Sequence, residues 1–132
     1  MLLVDTCVLV DVLQNDPQWA DWSIGQMRAQ ASVHALVINP VIYAEVSLSF
    51  STLETLDDVV ATLRLEMREI PRPALFLAGK AYSQYRRRGG SKQQVLPDFF
   101  IGAHAAIEGW PLLTRDASRF RTYFPTLDVL AP

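Results

Sequence analysis

Four short apolar runs, separated by segments long enough for helices, most constrain how this chain can fold. The runs occupy residues 2–4, 33–38, 110–113 and 127–130. Short apolar runs of this kind are typical of strands buried on both faces, and connections longer than a hairpin favour parallel pairing. The chain is therefore predicted to form an α/β domain, with helices on both faces of a central, mainly parallel sheet.

Helix signals fill the connections between these runs. Asp16-Pro17 and Asn39-Pro40 each place a capping side chain directly before a proline, a combination typical of helix starts. Ser51 and Glu54 have the spacing of a capping box, which predicts a further helix start. The predicted helices cover residues 7–13, 17–30, 40–50, 51–66, 73–87 and 98–108, with a polar loop over 91–97 and a helical turn near 118.

Composition indicates a globular protein of a reducing compartment. The chain has 132 residues, of which 50% are hydrophobic and 20% charged, and neither a repeat nor a linker interrupts it. A single cysteine, Cys7, excludes an intramolecular disulfide framework and a cysteine-rich zinc site. The first residues lack the features of a signal peptide, and no stretch reaches the roughly 20 apolar residues of a membrane-spanning helix. We therefore expect one domain over residues 1–132, soluble and cytoplasmic.

Four acidic residues lie where an apolar run ends or where a predicted helix presents its core face: Asp5, Glu45, Asp98 and Asp116. Asp5 directly follows the first strand and Asp116 lies just past the third, so both should reach the same edge of a parallel sheet. Each acid also has another explanation, because Asp98 could complement a helix dipole, Asp116 could cap a turn and Glu45 could be partly exposed. A buried Asp5 is the hardest to explain without a partner.

Convergence of the four carboxylates would predict a bound cation. Without one, their mutual repulsion would raise their pKa values strongly. An all-oxygen set favours Mg²⁺ or Mn²⁺, whereas zinc usually recruits histidine or cysteine. The two histidines, His34 and His104, lack metal-ligand spacing and are expected to lie on the surface or to have structural roles. A metal-bound water could then attack a phosphodiester without a Ser, Cys or His nucleophile.

Charge is unevenly distributed along the chain. Residues 80–132 carry eight basic and four acidic side chains, a net charge of +4, which leaves −6 for residues 1–79. Two of those four acids, Asp98 and Asp116, are candidate metal ligands, and a bound metal would make their surroundings more positive. A basic surface beside a metal site suits a polyanionic substrate, although a solvated surface of mixed charge accounts for the same counts.

The order of the acids, with the residues around them, resembles the PIN-domain ribonucleases, and among them the VapC-type toxins of bacterial type II toxin–antitoxin pairs. The similar segments are Leu3-Val4-Asp5-Thr6, Glu45 on an early helix, Leu96-Pro97-Asp98-Phe99-Phe100-Ile101-Gly102-Ala103-His104-Ala105, Leu113-Thr114-Arg115-Asp116 and the ending Arg121-Thr122-Tyr123-Phe124-Pro125. Each motif is weak alone, but together they span nearly the whole chain in the family's order. The departure is Gly102-Ala103-His104, where the family usually has a plainer run of small residues.

The resemblance implies a PIN-like three-layer α/β/α fold and metal-dependent endoribonuclease activity. It implies that Mg²⁺ or Mn²⁺ is bound by Asp5, Glu45, Asp98 and Asp116, with supporting hydroxyl groups at Thr6 and Thr114. It also implies a homodimer and a small cognate antitoxin that occupies the active-site groove.

The basic residues near these motifs are candidates for contacts with an RNA substrate: Arg86, Arg87, Arg88, Lys92 and Arg115. The three consecutive arginines lie at a predicted helix end, where they could instead satisfy terminal carbonyls and the helix dipole. Two other functions remain open from the sequence. One is an RNase H-like nuclease, which also uses spaced acids, and the other is a catalytically silent PIN-like module that binds RNA or protein.

Overall fold

The computed structural model describes residues 1–92 and 95–132, and within these ranges the chain forms five strands and seven helices. Their order is β1 (Leu2–Val4), α1 (Thr6–Leu13), α2 (Ala20–Ala31), β2 (Leu36–Ile38), α3 (Pro40–Ser47), α4 (Leu53–Thr62), β3 (Glu66–Met67), α5 (Arg72–Arg87), α6 (Leu96–Glu108), β4 (Leu112–Leu113), α7 (Ser118–Tyr123) and β5 (Val129–Leu130).

The five strands of the described ranges form one sheet, in the order β3-β2-β1-β4-β5, and every pairing is parallel. Strand β1 is central, with Leu3 in register with Val37 of β2 and Leu112 of β4. Successive residues of β1, β2 and β4 point to opposite faces, yet all are buried, so helices cover both faces of the sheet. The prediction of an α/β domain with helices on both sides of a parallel sheet is therefore confirmed.

The predicted helix over residues 51–66 is wrong in its last part. Helix α4 ends at Thr62, and Arg64 takes a left-handed conformation with φ of 55°. Glu66 and Met67 then pair with β2 as strand β3. Both residues of β3 are exposed at the edge of the sheet, so no apolar run marks this strand in the sequence.

Helix starts follow the capping predictions only in part. Asn39 caps α3 as predicted, since its side-chain oxygen accepts a hydrogen bond from a backbone N–H three residues later, at 2.9 Å. Asp16 instead caps a turn, because α2 begins later, at Ala20. The cap of α4 is Thr52, whose hydroxyl accepts from the Thr55 N–H at 3.2 Å, so the predicted capping box of Ser51 and Glu54 is wrong.

The other boundaries differ from the predictions by a few residues. Helix α6 begins at Leu96, two residues earlier than predicted, and β2 begins at Leu36 because the preceding segment leaves the core, with Val33 73% exposed. Gln93 and Gln94 of the predicted polar loop lie outside the described residues. No helix in the described ranges has both the length and the apolar character needed to cross a bilayer.

Two residues of α6 show how this helix packs. Gly102 lets α6 approach α7 closely, because a Cβ at this position would lie 2.5 Å from the Phe124 ring and 3.0 Å from the Phe120 ring. His104 is buried, and its Nδ1 lies 3.1 Å from the Asn39 side-chain nitrogen. His104 is therefore a hydrogen-bonded core residue. Of the two roles expected for the histidines, a surface position or a structural role, it has the structural one.

We expect Gly102→Ala to destabilise the protein by about 1 kcal/mol, because overpacking of the two rings costs about 1–3 kcal/mol and outweighs the gain in helix propensity. Gly79→Ala is the matched control, since Gly79 is an exposed residue of α5 with no atom within 4 Å of its missing Cβ. This control should stabilise the protein by up to about 1 kcal/mol. Urea unfolding measures both effects, and equal stabilisation by the two substitutions would contradict the packing.

Candidate active site

The carboxyl ends of β1 and β4 open into a cleft of about 290 Å³, and all four predicted acids line it. Asp5 directly follows β1, and Asp116 lies three residues after β4. Glu45 comes from α3 and Asp98 from the first turn of α6. Four segments that are distant in sequence thus each contribute one carboxylate to this opening. We call it the catalytic cleft, after the catalytic role that the resemblance implies for these acids. Its other lining residues are Thr6, Cys7, Val10, Arg115 and Phe120.

Asp5 is the most buried of the four acids, with 6% of its surface exposed. Its Oδ1 accepts from the Thr6 N–H at 2.8 Å, and its Oδ2 accepts from the Thr114 hydroxyl at 2.8 Å. Burial, with a smaller contribution from the charge of Asp98, raises the pKa of Asp5 to about 6, although the hydrogen bond from Thr114 opposes this shift. The surroundings of Asp5 therefore stabilise its negative charge less well than water does.

The two predicted supporting hydroxyl groups both hold acidic residues in place. The Thr6 hydroxyl donates to Glu45 Oε1 at 2.7 Å, which links the start of α1 to α3. The Thr114 hydroxyl, which donates to Asp5, also accepts from the Asp116 N–H at 3.1 Å. Each threonine therefore contacts two of the acid-bearing segments, since the Thr6 backbone N–H also binds Asp5.

Asp98 is bound by an arginine that the sequence analysis did not single out. Arg119 of α7 donates to Asp98 Oδ2 at 2.7 Å. Burial raises the pKa of Asp98, the ion pair with Arg119 lowers it, and the charge of Asp116 raises it, with a net upward shift. Burial also raises the pKa of Glu45, with a further contribution from the charge of Asp98. Burial is thus the main cause of the raised pKa values of Asp98 and Glu45, and the charge of a neighbouring acid adds to each shift.

Arg115, a predicted RNA contact, lines the catalytic cleft but is bound by a buried acid. Its Nε donates to Asp11 Oδ2 at 2.8 Å, and Asp11 is 2% exposed. The Ser23 hydroxyl donates to the same oxygen at 3.0 Å, and the Arg115 guanidinium lies 5.8 Å from the centre of the Trp19 ring. The sequence analysis missed Asp11, although this acid within the apolar helix α1 carries the same signal as the four acids that were chosen.

The donor set suits a hard divalent cation. The described residues that line the cleft include four carboxylates and a threonine hydroxyl, but neither histidine. Cys7 also lines it, but burial and the charge of Asp5 raise the pKa of its thiol to about 12, so the thiol stays protonated and is a poor ligand. A cation would stabilise the charged forms of Asp5, Glu45 and Asp98, whose pKa values are raised mainly by burial. The residues present therefore fit Mg²⁺ or Mn²⁺ in type.

The carboxylates are not gathered around one point. Within residues 1–92 and 95–132, no three acidic, histidine or cysteine side chains lie close enough together to hold a single ion. Three of the acids are instead bound by neighbours, because Thr114 and Thr6 donate to Asp5 and Glu45 and an arginine donates to Asp98. The cleft provides the donors of a metal site, and the ion pair with Arg119 occupies one oxygen of Asp98.

The other predicted RNA contacts lie outside the catalytic cleft. Residues 86–88 are exposed at the C-terminal end of α5, and Lys92 is exposed shortly after it. The Arg88 guanidinium lies 5.3 Å from the centre of the Tyr123 ring, and the Lys92 N–H donates to the Tyr85 hydroxyl at 3.3 Å. These contacts place basic residues against the aromatic side chains between α5 and α7.

In EDTA, the free energy of unfolding should fall as the pH rises from about 4 to about 6. The folded pKa of Asp5 is raised from 3.8 to about 6, so over this window the folded state binds more protons than the unfolded state, and stability decreases with pH. In Asp5→Asn, the decrease in the free energy of unfolding across this window should be smaller by up to about 3 kcal/mol. Urea unfolding across the window measures it, with Asp58→Asn on exposed α4 as the control. The same pH dependence in both variants would contradict the assignment.

Asp11→Asn should destabilise the protein by about 1–3 kcal/mol, because Arg115 and Ser23 would lose a charged acceptor. Ser23→Ala is the control, since it removes one of these two hydrogen bonds and leaves the ion pair, at an expected cost of about 1 kcal/mol. Urea unfolding compares the two variants. If Asp11→Asn is as stable as the wild type, the ion pair does not hold Arg115 in place.

Comparison with known proteins agrees with this architecture. A family model for the PIN domain matches residues 2–124. A chain of VapBC2 from Rickettsia felis, bound to a DNA fragment from their promoter, has a TM-score of 0.74 at 18% identity, covering 98% of this chain and 97% of that one. FitAcB from Neisseria gonorrhoeae has a TM-score of 0.67 at 18% identity, covering 100% of this chain and 98% of that one. A toxin–antitoxin complex from Klebsiella pneumoniae has a TM-score of 0.69 at 19% identity, with the same two coverages.

These comparisons differ in what they show. No curated protein matches the chain by sequence. At identities below a fifth, the solved structures show a shared fold alone. The family model, in contrast, extends over nearly the whole chain and includes all four acids of the cleft. This protein belongs to the PIN-domain family.

Proposed function

We propose that this protein is a divalent-metal-dependent endoribonuclease that acts as the toxin of a toxin–antitoxin pair. The observation that carries the proposal is the catalytic cleft, to which four separate segments of a PIN domain each contribute an acid. PIN domains are, as a family, nucleases that generally depend on divalent metal ions. Hydrolysis of a phosphodiester is therefore the chemistry that best fits this donor set.

In this proposal, Mg²⁺ or Mn²⁺ is held by Asp5, Glu45, Asp98 and Asp116. The ion would make water more acidic and offset the negative charge that develops on the phosphodiester. Burial is the main cause of the raised pKa values of Asp5, Glu45 and Asp98, and the charges of neighbouring acids add to it. A bound cation would stabilise the charged forms of all three acids, which supports the proposal.

The other residues of the cleft position these acids and the substrate. Thr6 orients Glu45 and Thr114 orients Asp5, through hydrogen bonds of 2.7 and 2.8 Å. Arg115 keeps a fixed position because Asp11 binds it, and its guanidinium could donate to a phosphate oxygen of RNA with its remaining N–H groups. This arrangement orients the acids and the guanidinium group before the substrate arrives.

The proposal includes a small antitoxin as partner, a homodimer and action in the cytoplasm. Chains of similar fold occur in VapBC2 and in a toxin–antitoxin complex, which supports a partner of this kind. The basic residues 86–88 and Lys92 support an RNA substrate, because they give the exposed surface near α7 a positive charge.

Asp5→Asn and Asp98→Asn should each reduce Mn²⁺-dependent cleavage of single-stranded RNA by roughly 100-fold or more, because each removes a charged ligand. EDTA should abolish cleavage by the wild type. Asp58→Asn removes the same charge from the exposed surface of α4 and should keep full activity. Gel assays of an end-labelled RNA measure the rates, and circular dichroism checks the fold. Full activity in a folded Asp5→Asn or Asp98→Asn variant would rule out the proposed site.

The ion pair between Arg119 and Asp98 favours a second candidate function, a catalytically silent module that binds RNA or protein. In such a module Arg119 would neutralise the acid permanently. Calorimetric titration with Mn²⁺ separates the two functions. Binding of Mn²⁺ that is lost in Asp5→Asn supports the nuclease, whereas a wild-type protein that binds no Mn²⁺ supports the silent module.

The RNase H-like alternative is tested by comparing the rates at which the protein cleaves an RNA–DNA hybrid and single-stranded RNA. Faster cleavage of the hybrid would support that alternative.

A further inference from the structure

A second cleft lies beside the catalytic cleft and shares Asp116 with it. Its volume of about 420 Å³ falls within the range of roughly 300–1,000 Å³ that is typical of ligand sites. We call it the tyrosine cleft, and its lining residues are Tyr85, Asp116, Ser118, Arg119, Thr122 and Tyr123. The proposed chemistry of the catalytic cleft assigns no role to the two tyrosines, Ser118 or Thr122.

The tyrosine cleft combines three kinds of group that bind nucleotides. The Arg119 guanidinium lies 5.9 Å from the centre of the Tyr85 ring, and the Arg88 guanidinium lies 5.3 Å from that of Tyr123. The hydroxyl-bearing residues Ser118 and Thr122 are exposed and lie four residues apart on one face of α7. Aromatic rings and guanidinium groups stack on bases, and hydroxyls bind base edges. This combination is typical of sites for single-stranded RNA.

The tyrosines are held in place by the packing behind them. The Tyr85 ring lies 5.6 Å from the ring of buried Phe99 and 6.2 Å from that of Tyr123, centre to centre. Gly90 lies directly against the Tyr85 ring, where any Cβ would collide with it, and the Lys92 N–H donates to the Tyr85 hydroxyl. Aromatic groups that are already fixed lose little conformational entropy when a ligand binds.

We propose that the tyrosine cleft binds one nucleotide of single-stranded RNA, adjacent to the bond that is cut in the catalytic cleft. This inference rests on the proposed ribonuclease function and adds a substrate subsite to it. Because Asp116 belongs to both clefts, a strand with its phosphate in the catalytic cleft has its neighbouring nucleotide within reach of the tyrosine cleft. Arg88 at the rim supplies positive charge for the backbone phosphates. A subsite at this position influences which sequence is cut.

Thr122→Trp tests the proposal because it fills the tyrosine cleft from an exposed position. The Thr122 hydroxyl donates only to the Ser118 carbonyl, at 2.9 Å, within the described contacts. Thr62→Trp is a closely matched control, since Thr62 is also an exposed helical residue whose hydroxyl donates four residues back, to the Asp58 carbonyl at 2.8 Å. Thr62 lies on α4 and lines neither cleft. Circular dichroism and urea unfolding establish that both variants are folded.

The first measurement is the affinity for a fluorescein-labelled single-stranded RNA in EDTA, by fluorescence anisotropy. Thr62→Trp should bind like the wild type, whereas Thr122→Trp should bind about tenfold more weakly, the order expected for one lost stacked base. The second measurement maps cleavage positions on total RNA in Mn²⁺. Thr122→Trp should cut with an altered nucleotide preference next to the cleaved bond, and Thr62→Trp should cut as the wild type does.

The outcomes separate the subsite from the ribonuclease function. If the wild type cleaves RNA and the two tryptophan variants share its affinity and cleavage pattern, the subsite is overturned and the ribonuclease function stands. A cleft that binds a protein segment instead of RNA would give this result. If the wild type binds RNA but cleaves none in Mn²⁺, the ribonuclease function fails. A tenfold weaker affinity of Thr122→Trp in that case still supports a nucleotide site in the tyrosine cleft.

Discussion

A carboxylate buried at the end of the central strand is the constraint on which the rest of the site depends. Asp5 follows β1, which has β2 on one side and β4 on the other, so its side chain has little access to water. The fold compensates with donors from Thr6 and Thr114, but burial still raises the pKa of Asp5 to about 6. A hydrophobic residue at this position would cost less to bury, so stability alone does not explain the acid.

The two threonines extend this constraint to two of the three other acid-bearing segments. Thr6 begins α1 and binds Glu45 of α3, while Thr114 joins Asp5 to the backbone of the segment after β4. Three of the four acid-bearing segments are therefore connected through side-chain hydroxyls. Asp98 is the exception, because its partner is an arginine of α7. The position of α7 thus affects both the catalytic cleft and the tyrosine cleft.

The sequence was sufficient for the parts of the structure that local patterns determine. The apolar run before Asp5 and the Asn39-Pro40 cap predicted a strand and a helix start correctly, because burial and capping act within a few residues. Strand β3 could not be found in this way, since its exposed pair, Glu66 and Met67, becomes a strand only by pairing with β2.

The partners of the site residues also could not be predicted from local sequence patterns. The pairing of Arg119 with Asp98 spans 21 residues and that of Arg115 with Asp11 spans 104, so neither follows from spacing. The positions of Asp5 and Asp116 after predicted strands suggested a shared edge of the sheet. It could not show that Asp98 is engaged by an arginine, because that depends on how α7 packs against α6.

The edges of the sheet limit how a second chain can bind to it. Each edge strand, β3 and β5, is only two residues long, and β3 carries an ion pair in which Arg68 donates to Glu66 at 2.9 Å. So short an edge presents few free backbone groups, and charged side chains on it oppose the addition of a strand from another molecule. Assembly by strand addition is therefore disfavoured at both ends of the sheet. A second chain would therefore have to bind this protein elsewhere than at the two edges of the sheet.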